Sequence, residues 1–173
     1  MLLDVELIGL RAHTDARGGL TEIFRDDWVR ESAVQWNLVR SEPNVLRGVH
    51  VHVRHRDYLV PLAGRLAVGL SDVRERAPTF GAARMLVLSS EQPELLVIPP
   101  GIAHGFYAAE PATFVYGVTS YWDPQHDELR CRWDDPGLGL AWGAIAPILS
   151  QRDTGAPSRA ALLARLRDLR LEW

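Results

Sequence analysis

Lysine is absent from this chain: all 19 basic residues among its 173 positions are arginine. Without an ε-amine, a Schiff base, a lysine general base and a P-loop lysine are all excluded. Cysteine is almost absent, since Cys131 stands alone, and this excludes an intrachain disulfide and a thiolate metal cluster. No apolar run approaches the length of a membrane-spanning helix. A strong charge of either sign is also missing. The net charge of −3 argues against a general nucleic-acid binder, and the interspersed arginines leave no polybasic membrane patch. The opening stretch MLLDVELIGLRAH carries Asp4 and Glu6 and no apolar core, so no signal peptide is expected and a cytoplasmic location is.

The remainder is ordinary globular material, 47% hydrophobic and 24% charged, which suits one domain over residues 1–173 with a core that needs no disulfide. Strand-length apolar runs recur at Tyr58–Leu62, Leu66–Leu70, Arg84–Leu88, Leu95–Ile98 and Thr113–Val118. Turn signals part them: Ala63-Gly64, the stretch from Glu75 to Gly81, Pro99-Pro100-Gly101 and Glu110-Pro111. The pattern predicts an all-β sandwich or barrel. Two segments read as helical. Asp26–Ala33 has room for one or two turns. Ser158–Leu171 carries an apolar stripe of Leu162, Leu163, Leu166 and Leu169, with Ser158 as cap and Arg159, Arg165, Arg167 and Arg170 forming a solvated face.

The densest chemistry lies in RGVHVHVRHRDY, where His50, His52 and His55 fall within six positions. On a strand, residues two apart share a face, so His50 and His52 are expected to point into a common lumen. His104 follows the Pro-Pro-Gly turn and supplies a further imidazole. Two chemistries fit. One is a metal site of His50, His52, Asp57 and His104, similar to the ligand set of metal-binding cupins except that Asp stands in place of Glu. The other is proton transfer, with a histidine oriented by a carboxylate as base and a tyrosine as acid on the opposite side of the substrate.

RGVH, APTFG, PPGIAHGF, FVYGVTSYWDP, WDDPGLGLAW and PILSQRD occur in one order, preceded by DARGGLTEIF and VQWNLVRSEPNVLRG. Together, over roughly Asp15 to Pro157, they resemble the dTDP-4-dehydrorhamnose 3,5-epimerase family. The resemblance implies a cupin-type jelly-roll β-barrel, followed here by the short C-terminal helix. It also implies a homodimer that exchanges N-terminal strands and works without metal or organic cofactor on a dTDP-linked 4-keto-6-deoxyhexose. By the same resemblance His50 is the base, Asp153 the carboxylate that orients it and Tyr116 the proton donor. Arg17, Glu22, Gln35, Asn37, Arg47, His104, Asp127 and Arg152 fall at substrate-binding positions, and Trp122 where an aromatic stacks on the thymine.

One departure stands out. The family places a lysine near the substrate's C4 oxygen, and here Tyr58 takes its place, with His52 where the family has a glutamine. Tyr58 and His52 are therefore expected to polarise the ketone, His52 by carrying a proton, with His55 or Arg56 as substitutes. Three outcomes follow: an epimerase with an altered enolate site acting at C3, C5 or both; a related step on another nucleotide sugar; or a metal-dependent or non-catalytic sugar-binding cupin.

Overall fold

The computed structural model describes residues 2–121, 123 and 127–171. Strands run Glu6–Gly9 (β1), Ala12–Asp15 (β2), Gly18–Thr21 (β3), Gln35–Ser41 (β4), Val45–His52 (β5), Asp57–Ala63 (β6), Arg65–Asp72 (β7), Ala83–Ser89 (β8), Glu94–Ile98 (β9), Ile102–Ala108 (β10), Ala112–Val118 (β11) and Glu128–Arg130 (β12). Helices Gln151–Thr154 (α1) and Arg159–Asp168 (α2) follow. Two five-stranded antiparallel sheets, ordered β1-β9-β6-β11-β4 and β12-β5-β10-β7-β8, form the jelly roll, and β2–β3 make a separate hairpin. All five apolar runs of the sequence fall inside strands.

The inner strands of each sheet are buried on both faces. Between the sheets lie Leu59, Leu96, Ile98 and Phe114 from one side and Leu66, Val68, Leu70 and Leu88 from the other. The outer face of the first sheet, with Tyr58, Val60, Leu95 and Val97, is covered by Phe24, Trp28, Val29 and Ala33. The outer face of the second sheet, with Val49, Val51 and Val53, is covered by Leu162, Leu163 and Leu166 of α2 together with Trp142. Two buried faces explain why the strands read as continuous apolar runs rather than as an alternation.

Ser158 caps α2 by accepting from the Ala161 N–H, and the helix ends at Asp168, three residues short of the expected Leu171. The Asp26–Ala33 segment is corrected: only Asp26–Trp28 winds, as one 3-10 turn. Trp28, Val29 and Ala33 lie against the sheet instead, which holds the backbone extended over it.

One irregularity aims the chemistry. Along the β5–β10 ladder His104 faces His50 and Gly105 faces Gly48, so Val49 has no partner on that side. This is a β-bulge, and it resets the alternation so that His50, three positions after Arg47, lines the same cavity. Gly48 sits at φ 124°, and a Cβ there would lie 2.8 Å from the Gly105 Cα and 2.9 Å from the His104 carbonyl oxygen. Only glycine fits that approach.

Candidate active site

A cavity of about 510 Å³ opens between the sheets, lined by Arg47, His50 and His52 of β5, Asp57 of β6, His104 and Phe106 of β10 and Tyr116 of β11. Asn37, Glu128, Ser150, Arg152 and Asp153 complete its polar wall.

His50 and Asp153 form a dyad, with Nε2 2.7 Å from Oδ1. The carboxylate is fixed in turn. The Ser150 hydroxyl donates to Oδ2 at 2.8 Å, and Ser150 also caps α1 by accepting from the Asp153 N–H. Burial would push the Asp153 carboxyl up, but the hydrogen bond from His50, its charge and Ser150 outweigh that and hold it below the usual range. An ionised Asp153 accepts Nε2–H and so leaves Nδ1 of a neutral His50 with its lone pair. Tyr116 is half-buried on the facing sheet. Burial, then the Asp57 and Glu128 carboxylates, push its hydroxyl up, so it stays protonated at neutral pH.

A second cluster sits deeper. His52 and His104 bring Nε2 to 3.7 and 3.8 Å from the Asp57 Oδ2, and His55 brings Nε2 to 3.8 Å from Oδ1. The His52 ring packs on His55 at 4.0 Å and on His104 at 5.2 Å between centroids. Asp127 holds His55 from behind through Nδ1 and also accepts from the Val53 and Arg54 N–H groups. Burial drives His52 down to about 3, so it is neutral. His55 goes the other way: burial lowers it, but Asp127 and Asp57 raise it to about 9. Asp57 is buried among the three rings, which overcome the upward push of burial and hold it down to about 2.

Several sequence expectations change in this geometry. His52 lines the cavity but carries no proton, because burial wins over its carboxylate neighbour. Tyr58 does not reach the cavity. It points to the outer face of its sheet, fully buried against Phe24, and its hydroxyl donates to the Glu31 carbonyl. Asp57, one residue earlier, faces inward instead. Arg56 does not line the cavity either and pairs with Glu31, whereas His55 does line it. Asp127 is turned to His55 and the backbone, so it is a positioning group rather than a wall of the cavity.

Arg17 and Glu22 are not brought to the cavity within one chain. Arg17 is 90% exposed and pairs with Asp15, and Glu22 pairs with Arg25. Gln35 donates to the Asn37 side chain at 3.0 Å, and Asn37 lines the wall. Arg47 is anchored to the Ser41 hydroxyl at 3.1 Å and to the Arg40 carbonyl, with Arg152 across the cavity on Glu128. Trp122 lies outside the described residues. The metal quartet loses one member: His52, Asp57 and His104 bring their donor atoms within 4.8 Å of one another, and His50 is not part of that group. Glu128 and Ser150 escaped the sequence reading. The only signal for Ser150 was its place three residues before Asp153, the spacing of a helix cap.

A jelly-roll barrel of two five-stranded sheets defines a cupin-like fold, and its lumen here holds a His–Asp dyad opposite a tyrosine. The profile of the dTDP-4-dehydrorhamnose 3,5-epimerase family matches residues 1–160, and the chain belongs to that family. It is 35% identical over 161 residues to the dTDP-4-dehydrorhamnose 3,5-epimerase of Neisseria gonorrhoeae, covering 88% of this chain and 49% of that protein, so the chain spans about half of that relative's length. In structure it is similar to the dTDP-6-deoxy-D-glucose-3,5-epimerase of Legionella pneumophila bound to dTDP-4-keto-L-rhamnose, with a TM-score of 0.85, 32% identity and 94% and 91% of the two chains covered. A 3'-monoepimerase of Streptomyces bikiniensis in complex with dTDP-quinovose also matches with a TM-score of 0.85, at 29% identity over 97% of this chain and 88% of that one.

Proposed function

We propose that the chain is an epimerase of a dTDP-linked 4-keto-6-deoxyhexose, inverting a carbon next to the ketone. The observation that carries this is the His50–Asp153 dyad and Tyr116 meeting in one cavity from opposite sheets. The 4-keto group acidifies the protons on C3 and C5. His50 takes one of them as general base, with Asp153 fixing its tautomer and stabilising the imidazolium that forms. The electron pair moves into the ketone and gives an enolate. Tyr116 then returns a proton from the other face, which inverts the carbon. Arg47, with its planar fork, is the phosphate contact that one chain offers, and Asn37 faces the sugar. With Tyr58 turned away, the enolate oxygen is met by the His52 end of the cavity.

The relatives include 3,5-epimerases and a monoepimerase. The deep cluster around Asp57 favours a rewired enolate site, and the carbon served is the first thing to measure. A homodimer is part of the same proposal. The outward face of β4 exposes Trp36 and Leu38, and Leu20 on the β2–β3 hairpin is 63% exposed, an apolar surface that a second copy would cover. Such a copy would supply Arg17 and Glu22. No described helix is long and apolar enough to cross a membrane.

The test is deuterium incorporation. The protein as purified is incubated in D₂O with dTDP-4-keto-6-deoxyglucose and followed by NMR. Exchange at C3, C5 or both, lost in His50→Ala with dTDP binding retained, supports the reading. Unchanged exchange in His50→Ala overturns the mechanism.

A further inference from the structure

We infer that His52, Asp57 and His104 form a binding site for one divalent first-row transition cation at the bottom of the cavity, with His55 and Asp127 as the groups that orient it. The resemblance implies a metal-free enzyme, so the case rests on the residues themselves. Two imidazoles and a carboxylate place one donor atom each within 4.8 Å of one another, and all three side chains are at least nine-tenths buried. Such a set suits Fe, Mn, Co, Ni or Zn as divalent ions, and it leaves coordination positions open.

The hydrogen bonds argue for an ion. His104 places Nδ1 2.9 Å from the Ile102 carbonyl oxygen, to which it donates, so its Nε2 carries a lone pair. That lone pair looks across 3.8 Å at the Asp57 Oδ2, an acceptor facing an acceptor. Oδ2 is itself buried and has no hydrogen-bond partner. Buried polar atoms without partners are rare, because each one costs free energy. A cation between Oδ2 and the two rings turns the facing lone pairs into ligands. At about 2.1 Å from each donor it needs the donors about 3 to 3.5 Å apart. The 3.7 and 3.8 Å gaps at Asp57 close to that range by a few tenths of an ångström.

The surroundings are those of a metal site. Asp127 bonds the far nitrogen of His55, and His55 faces the other oxygen of Asp57, so a carboxylate–imidazole chain backs the one anionic ligand. His50 is not among the residues whose donor atoms converge within 4.8 Å of one another, which separates this set from a quartet containing His50. The open positions face the cavity, where a water or a keto oxygen completes the shell. Any role at the ketone rests on the proposed epimerase reading, but the binding itself does not.

The experiment is run without sugar nucleotide, so its failure is distinct from failure of the epimerase reading. Chelator-stripped protein is titrated with Co(II), Zn(II) and Mn(II) by calorimetry, and the Co(II) form is read by visible absorption and by the paramagnetic shifts of its histidine ring signals. We expect one equivalent bound, a ligand-field band, and shifted signals from His52 and His104. Asp57→Asn and His104→Ala, checked for folding by thermal melting, should lose at least about 100-fold in affinity, while His50→Ala should bind as wild type. The inference is overturned if stripped wild type binds no stoichiometric metal, or if the His52 and His104 signals stay unshifted. It is equally overturned if both folded variants bind undiminished, or if His50→Ala abolishes binding. The wild-type spectra decide the matter even if a variant fails to fold.

Discussion

His50 and Asp153 are 103 positions apart in sequence and 2.7 Å apart in the fold. The contact joins the bulged strand β5 to the one-turn helix α1, whose Ser150 cap holds the carboxylate in place. An amide at this position presents an N–H where the imidazole now donates, and so favours the wrong tautomer. Asp153→Asn is expected to slow α-carbon exchange by about 10²–10⁴-fold without changing dTDP affinity. Single-turnover exchange rates measured beside equilibrium dTDP binding check both halves.

In the proposed mechanism Tyr116 serves proton return rather than removal. Tyr116→Phe is expected to keep exchange of the α proton with solvent while lowering formation of the inverted sugar by about 10²–10⁴-fold. NMR separates the two, since washout appears as loss of the proton signal and inversion as a new set of couplings. A variant that inverts at the wild-type rate removes Tyr116 from the mechanism.

The bulge makes a steric prediction. Gly48→Ala sets a Cβ 2.8 Å from the Gly105 backbone at φ 124°, so it should cost at least about 1–3 kcal/mol. The damage should also reach the dyad, because the same bulge aims His50. Urea melts and exchange rates of Gly48→Ala against Gly18→Ala make the comparison. Gly18 has the same φ of 124° on the hairpin but open space around its Cβ.

Acid should attack the Asp72–Arg74 pair. Asp72 is fully buried, and Arg74 donates to it from Nε at 3.0 Å and from Nη2 at 2.8 Å. Burial pushes the Asp72 carboxyl up, but Arg74 and Thr79 more than offset it and hold it below the ordinary value. A depressed folded pKa stabilises the fold above the unfolded value near about 4 and loses that contribution as pH falls through the folded value. Asp72→Asn should therefore cost about 3 kcal/mol at pH 7, with the gap to wild type narrowing in acid. Denaturant melts at neutral pH and below about pH 4 test the sign.

Much of this was legible in the chain. The apolar runs marked strands, the leucine stripe marked α2, and the ordered motifs led to His50, Tyr116 and Asp153, all of which line one cavity. Which face each residue takes was less legible. Tyr58 and Asp57 exchanged places because β6 is buried on both sides, so polarity gives no clue to which side is the lumen. His52 was expected to be charged, but burial keeps it neutral, and no spacing rule reports burial. The roles of Asp127 and Glu128 depend on a long return of the chain to pair β12 with β5, a contact between residues more than seventy positions apart. Arg17 pairs with its own neighbour Asp15, and a linear motif does not say whether a binding residue serves its own chain.

Val49 and Val51 share one core cluster with Leu162, Leu163 and Leu166 on one side of β5, while His50 and His52 reach into the cavity on the other. The terminal helix is thus cladding on the back wall of the cavity. A protease that cuts between α1 and α2 would leave every reactive group uncut and still disarm the chain. Once the helix leaves, water reaches the valines and the strand that aims His50 loses its backing. The chemistry is as durable as a helix that contributes no atom to it.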